Sequence, residues 1–214
     1  MASETKERIL ETALELFAQN GYLGASMSDI AKQLGISKAA LYKHYDGKQQ
    51  ILDCIVQRMK EMDLERASEY GMPKENPDSA IAAYQKTPME KIRQYSRAQF
   101  LHWTEEKFSA NFRKMLTLEQ YRDESMARLY QNYLASGPTE YMAAIFRGMT
   151  DSDETAMQLA LEFYGPMFLL YSVYDNGGEH AEQVVELVDA HVNRFIERME
   201  CERTREGNHE TSLF

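Results

Sequence analysis

The residues best suited to chemistry stand close together, in Ser37-Lys38-Ala39-Ala40-Leu41-Tyr42-Lys43-His44. Leu41 is given to a small core, which leaves Ser37, Lys38, Ala39, Tyr42, Lys43 and His44 for the outer face, with Ala40 a further candidate contact. Two ammonium groups, a phenol and an imidazole beside small side chains make a face for a polyanion. The small residues let the backbone approach a major groove, Lys38 and Lys43 can neutralise phosphates or reach guanine acceptors, and Tyr42 and His44 can donate to phosphate oxygens. Other chemistry finds less support. His102 with Glu105 and Glu106 has ligand-like spacing, but a zinc site needs three or four ligands and no second cluster accompanies it. No GxSxG, HExxH or Gly-rich phosphate loop occurs, so no catalytic residue, cofactor or metal is expected.

Two short helices must hold that face. Ser26 suits an N-cap, Asp29 places negative charge in the first turn, and Met27 to Leu34 completes a helix ended by Gly35 as a left-handed C′ residue. Ser37 caps the second helix. Ile30, Ala31, Leu34, Ile36 and Leu41 then face a small core, and Ser26 and Ser28 are further candidate DNA contacts. Before this pair, Thr5 to Asn20 carries an apolar stripe of Ile9, Leu10, Ala13, Leu14 and Phe17. After it, Asp46 with Gln49 forms a possible capping pair for a long helix with Ile51, Leu52, Ile55, Met59 and Met62 on its apolar side. Lys48 at its start can hold a phosphate together with first-turn N–H groups.

The ordered run resembles the DNA-binding domain of the TetR (tetracycline repressor) family of transcriptional regulators. The residues that carry the resemblance are the first helix ending in Asn20-Gly21-Tyr22, Met27, Ile30-Ala31, Leu34-Gly35-Ile36-Ser37, Leu41-Tyr42-Lys43-His44-Tyr45 and Lys48. Ala39 departs from the Gly that many members carry. The resemblance covers about the first 60 residues. It implies an all-α fold: a three-helix helix-turn-helix domain at 1–60, with the motif at about 26–45, and a larger helical effector-binding and dimerisation domain at 61–204. A polar tail, 205–214, is expected to be disordered.

The bulk properties of the 214-residue chain agree. Net charge is −10, yet residues 1–60 hold eight Lys and Arg against seven Asp and Glu, and the remainder sixteen against twenty-seven. Such a balance suits a localised DNA-binding face rather than indiscriminate coating of nucleic acid. No apolar run approaches a membrane span and the N-terminus lacks a signal-peptide core, so a cytoplasmic protein is expected. Cys54 and Cys201 lack CxxC spacing and read as incidental thiols rather than a disulfide.

Beyond residue 60 the pattern is helical throughout. Tyr70-Gly71-Met72-Pro73-Lys74-Glu75-Asn76-Pro77-Asp78 marks a junction, and Thr87-Pro88 a helix start. Ser109 to Ser136 reads as one helix broken by Gly137-Pro138. Most of the 13 Met and 13 Tyr lie in this part and suit an adaptable pocket for a small apolar or aromatic effector, with Tyr95, His102, Trp103, Met115, Tyr121 and Phe168 as candidate lining. Two final helices, Asp153 to Tyr174 and Glu179 to about Cys201, form a hairpin with more apolar surface than one core uses. By resemblance, Met157, Leu161, Tyr164, Phe168, Val184, Val188, Val192 and Phe195 pair with a two-fold mate in a homodimer. Together these features point to a repressor released from an inverted-repeat operator on double-stranded DNA by a small molecule. A same-fold regulator governed by a protein partner or by no ligand would differ in showing no compound-induced release. A helical carrier or enzyme would show no salt-sensitive affinity for any duplex.

Overall fold

The computed structural model describes residues 2–72 and 88–210. Helices account for the secondary structure of the described residues, with no strand among them. In order they are α1 (Ala2–Asn20), α2 (Met27–Leu34), α3 (Lys38–Tyr42), α4 (Lys48–Glu69), α5 (Met89–Thr104), α6 (Lys107–Glu119), α7 (Glu124–Leu134), α8 (Ser136–Arg147), α9 (Asp153–Asp175) and α10 (Ala181–Glu210), with a 3₁₀ turn at Gly178–His180. Residues 73–78 of the expected junction and Thr87 as a helix cap lie outside the described residues.

Two compact units emerge, one formed by Met1–Arg66 with Glu105–Pro138, the other by Ala67–Thr104 with Thr139–Phe214. The division is therefore not the single cut at 60/61 that the linear reading suggests: α6 and α7 join the N-terminal helices. In the first unit, the α1 stripe Ile9, Leu10, Ala13, Leu14 and Phe17 is buried as periodicity requires. Its broadest contact is with α6, which contributes Phe108, Phe112, Met115 and Leu116 to the same core. Ion pairs between Lys107 and Glu15 and between Arg58 and Glu7 edge this packing, and the Arg58 guanidinium lies 4.0 Å from the centre of the Phe108 ring.

The second unit packs α10 against α9 and α5. Phe100 stacks on Tyr171 at 5.2 Å and meets Tyr174 edge-on at 5.9 Å, while Phe163 of α9 contacts both Phe146 and Phe195. Pro166 lies inside α9 and cannot donate to the helical ladder. Nearby, the His191 ring from α10 hydrogen-bonds to the Phe163 carbonyl at 2.8 Å.

Several boundaries differ from the sequence expectation, each for a local reason. The helix expected from Ser109 to Ser136 breaks after Glu119, because Asp123 accepts from the N–H groups of Ser125 and Met126 at 2.9 and 3.0 Å and so starts a new helix. Gly137-Pro138 does not interrupt a helix but sits in the first turn of α8, where the missing proline N–H costs no ladder bond. The chain from 205 to 210, expected as tail, continues α10 to Glu210.

Gly21, φ 78°, turns the chain out of α1. A β-carbon there would stand 2.0 Å from Glu119 Oε1, whereas one at Gly35, φ 68°, would meet nothing within 4 Å. Gly35→Ala should therefore cost only the left-handed backbone, about 1–2 kcal/mol. Gly21→Ala should cost clearly more, because a buried carboxylate must also move. Denaturant unfolding of the two variants makes the comparison, and equal losses would show that Glu119 yields freely.

Candidate nucleic-acid interface

The α2–α3 pair is fixed by hydrogen bonds that the sequence places locally. Asp29 N–H donates to Ser26 Oγ at 3.2 Å while Ser26 N–H and Oγ donate to the Asp29 carboxylate at 2.9 and 2.5 Å, a reciprocal capping box. Those bonds hold the Asp29 carboxyl below its usual range. At the other end Gly35 N–H donates to Lys32 O and Ile36 N–H to Ala31 O, at 3.1 and 3.0 Å, closing a Schellman turn. Ser37 Oγ accepts from Ala40 N–H at 3.1 Å and opens α3.

Leu41 is fully buried and anchors α3. Ser37, Lys38, Ala39, Tyr42 and Lys43 are exposed, and Ala40 and His44 half-buried. Lys38 Nζ stands 5.9 Å from the Tyr42 ring centre. Ser28 is exposed on the first turn of α2, and the Ser26 side chain is occupied by its cap. The structure thus brings Ser28, Lys38, Ala39, Tyr42 and Lys43 out into solvent, with Ser26 and Ser37 shaping the backbone beneath them.

Lys48 is placed differently from the sequence expectation. Its Nζ donates to the carbonyls of Tyr22 and Ala25 at 2.6 and 2.9 Å and lies 4.3 Å from the centre of the Tyr22 ring. Burial lowers its pKa, an effect opposed by the Glu119 carboxylate. The ammonium is drawn onto the α1–α2 turn because two carbonyls and an aromatic face converge there. Gln49 is not the capping partner of Asp46 either: Gln50 Oε1 accepts from Asp46 N–H at 2.7 Å, and Gln49 Oε1 accepts from the Tyr22 hydroxyl at 3.1 Å.

The six pocket candidates divide between the two units. Met115 lies in the core of the first unit and Tyr121, in the same unit, is 89% exposed. Tyr121 was expected inward on the premise of a continuous helix, and the break at Gln120 turns it out. In the second unit His102 and Trp103 are buried, Tyr95 is half-buried 6.0 Å from Tyr70, and Phe168 is 38% exposed. Glu106 is engaged by Arg66 at 2.9 Å, and among the described residues no group of three or more His, Cys, Asp or Glu could hold a metal.

The expected dimer residues divide in two. Leu161 and Phe168 are exposed on α9, with Met157 and Tyr164 half-buried. Val184, Val188, Val192 and Phe195 are buried within their own unit and are not available to a partner. Sequence reasoning missed Leu169, Val173 and Leu187, all exposed. Leu169 and Val173 follow Leu161 at i+8 and i+12, a helical period that could have found them. An open groove of about 630 Å³ runs beside this face, with Leu161, Pro166, Phe195 and Arg194 in its lining.

A capped short helix, a left-handed glycine turn and an exposed cation-bearing helix seated on a third define the helix-turn-helix class. Residues 9–55 match the family model described as "Bacterial regulatory proteins, tetR family". The curated relatives agree over this region. The chain is 46% identical over 46 residues to the biofilm operon icaADBC negative transcriptional regulator IcaR of Staphylococcus epidermidis, covering 22% of this chain and 25% of that protein. It is 32% identical over 72 residues to the transcriptional regulator SrpR of Pseudomonas putida, covering 33% and 34%. The matched stretch thus spans about a quarter to a third of these relatives. Over nearly the whole chain, the fold is similar to a structure from Saccharomonospora viridis solved in complex with choline, with a TM-score of 0.63, 23% identity and coverage of 91% and 96%. No described helix is long and apolar enough to cross a membrane.

Proposed function

We propose that the protein is a sequence-specific, DNA-binding transcriptional repressor that acts as a homodimer and is released from an inverted-repeat operator by a small apolar or aromatic effector. The observation that carries the reading is the solvent face of α3, where Lys38, Ala39, Tyr42 and Lys43 are exposed on a helix locked by the Ser37 cap and by buried Leu41. The family match of residues 9–55 and the negative regulator among its relatives support the same activity.

Phosphate contacts release counterions, so each lysine that makes one steepens the salt dependence by about 0.9 in log–log slope. Lys38→Ala and Lys43→Ala should each flatten the slope of dimer–duplex binding by about 1.8, since each substitution removes one contact from both protomers, with helix content unchanged. Binding measured across a salt series, on a duplex that the wild-type protein selects from a random-sequence pool, tests this. Unchanged slopes in both variants would place the DNA contact elsewhere.

Dimerisation is supported by the outward apolar residues Leu161, Phe168, Leu169, Val173 and Leu187, which stand on two neighbouring helices and suit an isologous interface. A two-fold pair of recognition helices requires half-sites about 34–36 Å apart or a multiple of it. The effector reading is supported by the aromatic density of the second unit, around Phe100, Trp103, Tyr171 and Tyr174, and by the small molecule held by the Saccharomonospora neighbour. If an effector weakens duplex binding by some factor, the duplex must weaken effector binding by the same factor. Tyr121, being exposed, should tolerate alanine without any change in that response.

A further inference from the structure

We propose that Lys6, on α1 and outside the family-matched residues 9–55, contacts a DNA phosphate at the edge of the groove that α3 enters. The proposal rests on the DNA-binding reading above and extends the nucleic-acid interface onto α1, a helix outside the helix-turn-helix.

α1 meets the exit of α3 at Lys6. The Tyr45 hydroxyl donates to the Lys6 carbonyl at 3.4 Å, and the Lys6 ammonium lies 5.9 Å from the centre of the Tyr45 ring. Tyr45 is 5% exposed and follows Lys43, the C-cap of α3, by two residues. A buried ring next to the recognition helix therefore fixes where Lys6 stands, while Lys6 itself is exposed. Helix α3 has five residues, a length of about 7.5 Å, and a major groove is about 12 Å wide. A cation beside the end of α3 is thus at the groove edge, where the phosphates run.

The local charge pattern leaves this ammonium open to a phosphate. An ion pair within a helix forms at i±3 or i±4, and at those positions Lys6 has Ala2, Ser3, Ile9 and Leu10. Arg8, the other cation of α1, has Glu4 at i−4 and Glu11 at i+3. The acid adjacent to Lys6, Glu7, is turned to Arg58 of α4, whose Nη2 also stands 3.7 Å from Glu11. The carboxylates of this part of α1 are therefore drawn toward α4. Lys48, the cation expected on a phosphate, has two of its donors on the carbonyls of Tyr22 and Ala25. Lys6 carries no such bonds to main-chain carbonyls and can meet a phosphate as a compact point charge.

The test uses the full chain and the duplex selected by the wild-type protein, with binding measured across a salt series. Lys6→Ala should weaken binding severalfold and flatten the dimer–duplex slope by about 1.8, one contact being lost from each protomer. Lys6→Arg, which keeps the charge, should leave the slope unchanged. Arg8→Ala is the control: it removes the same charge two residues on, about 200° round the helix, and should not alter the slope. A neutral methylphosphonate placed at single positions of the duplex backbone should, at one position in each half-site, weaken the wild type and leave Lys6→Ala unaffected. An unchanged slope in Lys6→Ala overturns the proposal, as does the lack of any such phosphate. So does an equal flattening by Arg8→Ala, which would reduce Lys6 to a part of the general field. Should Lys6→Ala lose helix content, Lys6→Gln decides in its place. If the wild-type protein selects no duplex, the DNA-binding reading fails and this one with it. If Lys38→Ala and Lys43→Ala flatten the slope and Lys6→Ala does not, this proposal fails alone.

Discussion

Val188→Glu is expected to abolish the fold of the second unit, whereas Phe168→Glu is expected to yield a folded monomer. Both lie on the hairpin of α9 and α10 and both replace an apolar side chain by the same acid. Val188 is 0% exposed inside its own unit and Phe168 is 38% exposed on the outer face. A carboxylate forced into the Val188 site loses its hydration without any partner, a cost of several kcal/mol against a total stability of about 5–15 kcal/mol for a typical domain. At Phe168 the charge stays in water in the monomer, and only the apolar contact with a second copy is lost. Circular-dichroism melts together with sizing chromatography at micromolar concentration separate the two outcomes. A folded, monomeric Val188→Glu protein would mean that α10 turns its other face inward. An intact dimer of Phe168→Glu would remove this α9 face from the interface.

The second large effect concerns α3. Leu41→Ala should remove duplex binding while leaving the second unit and its self-association in place. Helix α3 has only five residues, too few to be stable by itself, and Leu41 is its sole buried side chain. Truncating a fully buried leucine costs about 2–5 kcal/mol, and here nothing else in the helix can offset the loss of its anchor. Hydrogen exchange should show the amides of residues 37–45 opening while those of α9 and α10 stay protected. Full protection of α3 together with wild-type duplex affinity would show that the Ser37 cap and the Schellman turn suffice.

Much of the helix-turn-helix could be read from the sequence, because its determinants are local. Ser26 with Asp29, Gly35 after Leu34, and Ser37 before a short apolar-anchored helix act within a few residues of one another, so one-dimensional spacing already contains their geometry. The α1 stripe is equally legible, since a single apolar face admits a single inward orientation. The break at Gln120–Asp123 was less so. Asp123 is an adequate N-cap by type, but the apolar period runs through it from Met115 to Met126, and periodicity alone favours continuity.

What the sequence by itself determined is thus the all-helical class, the helix-turn-helix and its cationic face: each follows from caps, periods and breakers that act along the chain. The tertiary structure alone decided which apolar face of α10 is core, that α6 joins the N-terminal unit, that Tyr121 points outward, and that Lys48 turns in toward Tyr22 and Ala25. The physical reason is common to all four. A helix with apolar residues on more than one side, or a lysine within reach of both solvent and main-chain carbonyls, has several local arrangements of similar energy, and only contacts between residues far apart in sequence choose among them.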